Sequence, residues 1–116
     1  MKMAKFANAG ALRTPIRFTK TERVLDNEGY YQDTEVDVLI TKCRWQNVHG
    51  VEVFTAMQQQ LREPATITMR YSEKVDRTAL VYKGKDTHAY EVISIDNVEE
   101  RNEWLEIKVQ RKMLAV

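Results

Sequence analysis

The sequence predicts a small, mainly β protein: an antiparallel barrel or sandwich of about six strands with one short α-helix inserted midway. Three observations support this. Short segments alternate apolar and polar residues, as half-buried strands do. Gly, Asn and Asp residues fall between these segments, where turns are expected. One mid-chain stretch changes to the three- and four-residue apolar spacing of a helix. A chain of 116 residues fits one domain with a modest core.

The first predicted strand covers residues 16–24, with Ile16 and Phe18 on one face. Residues 26–29 (DNEG) then form a turn, because Asn and Gly tolerate the left-handed backbone of a tight reversal.

The second predicted strand, residues 30–48, changes the face on which its apolar residues lie. Its first half places Val36, Val38 and Ile40 together, whereas Cys43 and Trp45 have the opposite parity. A strand changes faces only by inserting an extra residue. We therefore expect a bulge or sharp bend near Thr41 and Lys42.

A helix is predicted over residues 50–62, followed by four more strands. Val51, Phe54, Met57 and Leu61 form its apolar stripe, and Pro64 closes it. A strand follows at residues 66–71. Residues 79–83 and 90–95 are predicted to form a hairpin around residues 84–86, and residues 96–103 a polar turn. In the last strand Leu105, Ile107 and Val109 point inward, while Glu106, Lys108 and Gln110 point outward.

The predicted domain organisation is a flexible N-terminal arm (1–14), a β-barrel domain (15–112) and a C-terminal tail (113–116). No apolar run approaches the length of a membrane span, and no signal-peptide core follows the start. The single cysteine, Cys43, excludes an internal disulfide.

Charge is distributed unevenly along a chain whose net charge is only +1. Residues 1–25 contain six bases and one acid, whereas residues 26–40 contain five acids and no base. The small net charge argues against bulk electrostatic binding to nucleic acid or an anionic membrane. Separate basic and acidic segments can pair between neighbouring copies, although a solvated surface is the more general explanation of such runs.

The motifs of common enzymes and metal sites are missing. The sequence contains no P-loop or dinucleotide-binding glycine pattern. Cys43, His49 and His88 are too few and too scattered for a tetrahedral metal site, so a core thiol and surface imidazoles are favoured. We expect no cofactor and no metal.

Two sets of residues that resemble catalytic groups have simpler explanations. Ser94, His88 and Asp96 lack the nucleophile elbow of a serine hydrolase. The carboxylates of Glu99, Glu100, Glu103 and Glu106 lie in or beside a turn that is predicted to be solvated, where they make poor general acids.

Five aromatic residues leave two interpretations open: Trp45, Tyr71, Tyr82, Tyr90 and Trp104. They can form a base-stacking platform, as in barrels that bind single-stranded nucleic acid. Most have inward parity within their strands, which favours packing in the core.

Short motifs also occur in a recognisable order: LR at 12–13, DNEG at 26–29, CRWQNV at 43–48, GVE at 50–52, AMQQQ at 56–60, TITMRY at 66–71, YKGK at 82–85 and YEVI at 90–93. Their order and spacing resemble the phage head–tail joining family, whose members are also called head-closure, stopper or connector proteins. The likeness extends from Leu12 to Arg111. It departs in residues 86–89, which lengthen a hairpin, and in residues 72–78, which lack the usual Gly-Pro turn.

The resemblance implies a non-enzymatic structural protein of a phage or prophage virion, made in the host cytoplasm and located at the head–tail interface. It implies a ring that matches the twelvefold symmetry of the portal in the virion. This ring would close the portal channel and contact portal or adaptor proteins and tail proteins. Whether the free protein is a ring or a monomer stays open. Genomic DNA would pass through without sequence-specific binding, and no membrane is involved.

Residues 46–63 and 26–35 are the predicted contact elements. The candidate contact residues are Arg17, Lys20, Arg23, Asp33, Glu35, Asp37, Glu52, Gln58 and Gln59. Two alternatives remain: a tail-completion or tail-terminator protein, and, less favoured, the nucleic-acid-binding barrel.

Overall fold

A computed structural model describes residues 9–48 and 62–113. Its strands are β1 (Thr14–Leu25), β2 (Tyr31–Asn47), β3 (Ala65–Arg70), β4 (Leu80–Lys83), β5 (Tyr90–Asn97) and β6 (Trp104–Arg111). Two 3-10 helices, Ala9–Ala11 and Val98–Glu100, complete the described elements. The strands form a closed antiparallel barrel in the order β1-β2-β3-β6-β5-β4. The mainly β fold with six antiparallel strands is confirmed, and the barrel is the alternative that forms.

The predicted helix over residues 50–62 lies outside the described residues, except for Arg62. The main-chain oxygen of Arg62 accepts a hydrogen bond of 2.8 Å from the Arg111 N–H. The Arg62 side chain donates to the main-chain oxygen of Arg111 over 3.0 Å. The chain therefore returns to the barrel beside the end of β6.

β1 begins at Thr14, one residue before the start of the predicted barrel domain. Residues 1–8 of the predicted arm and residues 114–116 of the predicted tail lie outside the described residues. In the part of the chain that the structure describes, no helix has the length and apolar character needed to cross a membrane.

The barrel closes where β1 meets β4, through four residue pairs from Ile16↔Lys83 to Thr19↔Leu80. β4 and β5 form the predicted hairpin, in which Leu80 pairs with Glu91. Gly84 turns the chain with a φ of +56°, a left-handed conformation that glycine adopts without steric cost.

The inner face of the barrel forms one apolar core. β6 contributes Leu105, Ile107 and Val109, as the sequence alternation predicts. Phe18, Ile67 and Val81 are completely buried on facing strands. Burial of this apolar surface is the main stabilising contribution to the fold.

The bulge in β2 lies earlier than predicted. Phe18 pairs with Leu39 and Thr19 with Asp37, so Val38 is the extra residue. The prediction near Thr41 and Lys42 is wrong in position because it counted Ile40 among the inward residues, whereas Ile40 is 69% exposed. After the bulge, Leu39 and Cys43 share the inward face.

β5 is longer than the predicted strand and contains its own bulge. It continues to Asn97, and its register against β6 shifts between Val92 and Ser94. The polar turn that follows is held by two hydrogen bonds between Asn97 and Asn102. These hydrogen bonds hold the turn where the main-chain hydrogen bonds between β5 and β6 end.

Candidate functional site

The β1–β2 hairpin continues past the wall of the barrel. β4 pairs with β1 only over residues 16–19, and β3 pairs with β2 only from Arg44 onward. Among the described residues, residues 20–25 and 31–36 therefore pair only with each other. At about 3.3 Å per residue this segment is roughly 20 Å long. We call residues 20–36 the hairpin ribbon; the molecule measures 56 × 31 × 26 Å.

A carboxylate organises the turn at the end of the ribbon. Asp26 Oδ1 accepts hydrogen bonds from the N–H groups of Glu28 and Tyr30, at 2.8 and 2.9 Å. Its other oxygen accepts from the Gln32 side chain over 2.9 Å. These bonds, the one from Tyr30 first, lower the pKa of Asp26. Gly29 adopts a φ of +89°, which favours glycine. The turn thus holds Tyr30 in a defined position.

The tip of the ribbon exposes apolar and aromatic side chains. Tyr30 is 67% and Tyr31 66% exposed, and Val24 and Leu25 beside them are also exposed. Tyrosine is enriched in protein interfaces, because its ring contributes contact area and its hydroxyl a hydrogen bond. A cluster of this kind at the end of a projecting hairpin is typical of a protein-binding surface.

The predicted basic and acidic contact residues on the ribbon and its base are close to each other within one chain. Arg17 Nη1 lies 2.8 Å from Asp37 Oδ1, and Arg23 Nε lies 4.0 Å from Asp33 Oδ1. Lys20 pairs with Asp76 instead, in the loop before β4. All three pairs are partly or largely exposed, so each contributes little to stability. A contact role for these residues between subunits stays a prediction.

The ribbon joins the barrel through a polar cluster. Tyr82 on β4 donates to Glu35 Oε2 over 2.6 Å, and the hydroxyl of Thr19 donates to the same oxygen. The bond from Thr19 and then the bond from Tyr82 lower the pKa of Glu35. Burial first, and then the bond to Glu35, raise the pKa of Tyr82 to about 12. The Arg17 guanidinium lies 4.4 Å from the centre of the Tyr82 ring.

A cleft of about 340 Å³ opens beside this cluster, between the ribbon base and the end of β6. Its lining includes Glu35, Leu80, Tyr82, His88, Lys112 and Met113. Glu35 already binds Tyr82, and His88 Nε2 donates to the main-chain oxygen of Lys112 over 2.9 Å. The polar groups of Glu35, Tyr82 and His88 are thus already engaged in hydrogen bonds within the protein.

The residues considered for metal binding and catalysis do not come together. The described residues contain no group of three or more His, Cys, Asp or Glu side chains placed to hold a metal ion. Cys43 lies in the core, where burial raises the pKa of its thiol to about 12. Ser94 and Asp96 are exposed on β5, and His49 lies outside the described residues.

Two of the five aromatic residues, Tyr90 and the half-buried Trp45, pack against the barrel core. Tyr90 and Trp104 are buried. Trp45 packs edge-on against Tyr90, with ring centres 4.9 Å apart. Buried rings offer no free face on which a nucleic-acid base can stack. Tyr71 is the most exposed of the five.

Sequence reasoning found the region of the ribbon tip but not its residues. The predicted contact segment 26–35 contains Tyr30 and Tyr31, which were not singled out. The signal was two adjacent aromatic residues directly after a glycine turn, where a core position is not expected. Glu52, Gln58 and Gln59, the remaining predicted contact residues, lie outside the described residues.

Comparison with known proteins adds a fold match and a family. No curated protein matches the chain. A solved structure, the solution structure of protein SF1141 from Shigella flexneri 2a, is similar with a TM-score of 0.70. The match covers 94% of this chain and 100% of that one at 18% sequence identity, so it concerns the fold alone. The profile of the phage head completion protein family matches residues 7–112. The chain belongs to the phage head completion protein family.

Proposed function

We propose that this protein joins phage heads to tails as a structural subunit, assembling as a ring that closes the portal channel. The observation that carries the proposal is the hairpin ribbon, whose tip gathers four of the seven exposed large hydrophobic side chains of the described residues. Apolar side chains at such a tip are unfavourably exposed to water, and burying them against another protein lowers the free energy. The family supports a role in head completion.

The barrel serves as the rigid base from which the ribbon reaches a partner. The polar cluster of Glu35, Tyr82 and Thr19 anchors the ribbon to the barrel. The ribbon extends roughly 20 Å beyond Thr19, and this reach is what we assign to contact with the next protein layer. A portal or adaptor protein on one side and a tail protein on the other are the proposed partners.

The ring itself requires two different patches on each copy, because cyclic symmetry brings one patch against the other. Twelve copies would match the portal. A chain with a net charge of +1 suits the wall of a DNA channel, since strong phosphate binding would retard the passage of DNA.

Deletion of the gene tests the proposed function directly. We expect separate heads and tails of normal shape in lysates, seen by electron microscopy, with infectious particles restored when the wild-type protein is supplied. The DNA content of the isolated heads separates channel closure from joining, because unclosed heads lose their genome. Intact infectious virions from the deletion mutant would refute the proposal.

The double substitution Tyr30→Ser and Tyr31→Ser tests the ribbon tip. We expect at least about a tenfold loss of infectious particles, because exposed aromatic residues supply much of the binding energy of interfaces. The matched control is Ile40→Ser, since Ile40 is equally exposed on the same strand but lies on the barrel wall. Thermal denaturation of both variants should match the wild type. Wild-type titres from the double variant would show that the tip is not a contact.

A further inference from the structure

The hairpin ribbon has two open edges within the described part of the chain. The outer edge of β1 is unpaired from Lys20 to Leu25, where β4 no longer runs beside it. The outer edge of β2 is unpaired from Tyr31 through Asp37, because β3 joins only at Arg44. An unpaired strand edge is a template for another strand, and natural proteins protect such edges with Pro, charged side chains (above all Lys) or strong twist. Neither stretch contains Pro, and the one Lys, Lys20, is bound to Asp76.

Charge differs between the two edges. Residues 31–37 of β2 carry Asp33, Glu35 and Asp37 with no base, whereas residues 20–25 of β1 carry two bases, Lys20 and Arg23, and one acid, Glu22. Because cross-strand partners share a face, Arg23 and Asp33 point to the same side of the ribbon. Their side chains are 74% and 70% exposed and 4.0 Å apart, so the guanidinium retains donors for a second carboxylate.

We propose that the β1 edge of one copy pairs antiparallel with the β2 edge of the next copy, so that the ribbons form a continuous sheet around the ring. The inference rests on the proposed ring. Copies in a ring are related by rotation about the ring axis. If the ribbons run parallel to that axis, a given residue lies at the same position along the axis in every copy. Arg23 is level with Asp33 in its own copy. It therefore lies between that Asp33 and the Asp33 of the neighbour.

Single charge reversals distinguish the proposed pairing of Arg23 with Asp33 of the next copy from the pairing of the same two residues within one chain. Arg23→Glu places an acid at position 23 beside Asp33, and Asp33→Arg places a base at position 33 beside Arg23. Either variant alone places like charges across every contact between copies, so infectious particles should fall by about tenfold or more. A mixture of the two variants places opposite charges at every contact of an alternating ring, although each chain still carries like charges internally. Co-expression of both variants in a deletion host should restore the yield.

The matched control uses Arg101 and Glu99, an exposed pair 3.4 Å apart outside the ribbon. Arg101→Glu, Glu99→Arg and their mixture should all support wild-type yields. A second measurement uses cysteine variants. The native Cys43 is buried, so it should not form disulfides between chains. Mixed Arg23→Cys and Asp33→Cys chains should give disulfide-linked pairs in purified particles, whereas either variant alone should give none.

The outcomes distinguish the inference from the proposed function. If a wild-type copy rescues the deletion but the mixture does not, and mixed cysteine chains stay unlinked, edge pairing is wrong while head–tail joining stands. If the deletion mutant already makes intact virions, the proposed function fails. Rescue by the mixture together with disulfide-linked mixed pairs establishes edge pairing.

Discussion

Thr19 is completely buried although it follows the inward-facing Phe18 and so lies on the opposite face of β1. Thr19 can be buried on this face because its hydroxyl donates a hydrogen bond to the carboxylate of Glu35. Tyr82, on the neighbouring strand β4, donates to the same carboxylate. A buried hydroxyl without such a partner would cost stability. The cluster therefore joins three strands, β1, β2 and β4, at the base of the hairpin ribbon.

Tyr82→Phe tests the cluster at the residue scale. Loss of the hydrogen bond should raise the pKa of Glu35 towards its ordinary value of 4.5 and lower the free energy of unfolding by about 1 kcal/mol at pH 7. Because the folded-state pKa of Glu35 is lowered, this stabilisation is complete above the ordinary pKa and is lost as pH falls through the folded one.

Carboxyl NMR titration of Glu35 and urea denaturation at pH 7 and pH 3 measure both effects. Tyr71→Phe is the control, since Tyr71 is exposed and is not among the hydrogen-bond partners of Glu35. An unchanged Glu35 titration in Tyr82→Phe would contradict the assigned cause.

At the scale of the elements, the ribbon is supported from the side by the loop between β3 and β4. Lys20 at the start of the ribbon forms an ion pair with Asp76. Asp76 also accepts two hydrogen bonds from Thr78, from its N–H at 2.9 Å and its hydroxyl at 2.5 Å. These contacts, the one with Lys20 first, lower the pKa of Asp76 to about 2. The loop thus presents a charged carboxylate at all ordinary pH values.

Asp76→Asn should weaken this support. We expect a loss of about 0.5 kcal/mol in the free energy of unfolding at pH 7, discounted because both partners are partly exposed. The contribution is present above the ordinary Asp pKa of 3.8 and is lost as pH falls through about 2, so the difference from wild type should shrink over that window. Urea denaturation from pH 7 to pH 2 measures it, with the exposed Asp96→Asn as control. A difference that persists at pH 2 would exclude the ion pair as its source.

On the scale of the whole molecule, closure of the barrel depends on a short contact. Only four residue pairs join β1 to β4. Phe18 lies at the centre of this contact, paired with Leu39 on one side and Val81 on the other. Its side chain is completely buried in the core cluster. Closure therefore relies on side-chain packing as well as on ladder hydrogen bonds.

Phe18→Ala should lower the free energy of unfolding by about 3–5 kcal/mol, because it removes a buried ring and leaves a cavity. For a domain with a typical stability of about 5–15 kcal/mol, this is a large fraction. Tyr31→Ala on the exposed ribbon is the control and should change stability by less than about 0.5 kcal/mol. Equal unfolding midpoints for the two variants in urea would show that the barrel does not depend on this contact.

Prediction from sequence succeeded where a pattern is local. Alternation located all six strands, since a half-buried strand repeats every two residues wherever it lies. The bulge in β2 was detected from the change in parity but misplaced, because an apolar residue such as Ile40 gives no sign in sequence that it faces solvent. Arg17 and Asp37 were recognised as complementary, but whether they pair within a chain or between chains depends on the hairpin register.

The sequence by itself determined the strands, the turn at Gly29 and the inward face of β6. The tertiary structure decided where barrel pairing stops on β1 and β2, and therefore that residues 20–36 extend as a ribbon. The physical reason is the distance along the chain between the residues that interact. Strand formation follows from neighbouring residues, whereas β1 meets β4 across a long stretch of chain, and only packing of the whole core sets how many residues they share.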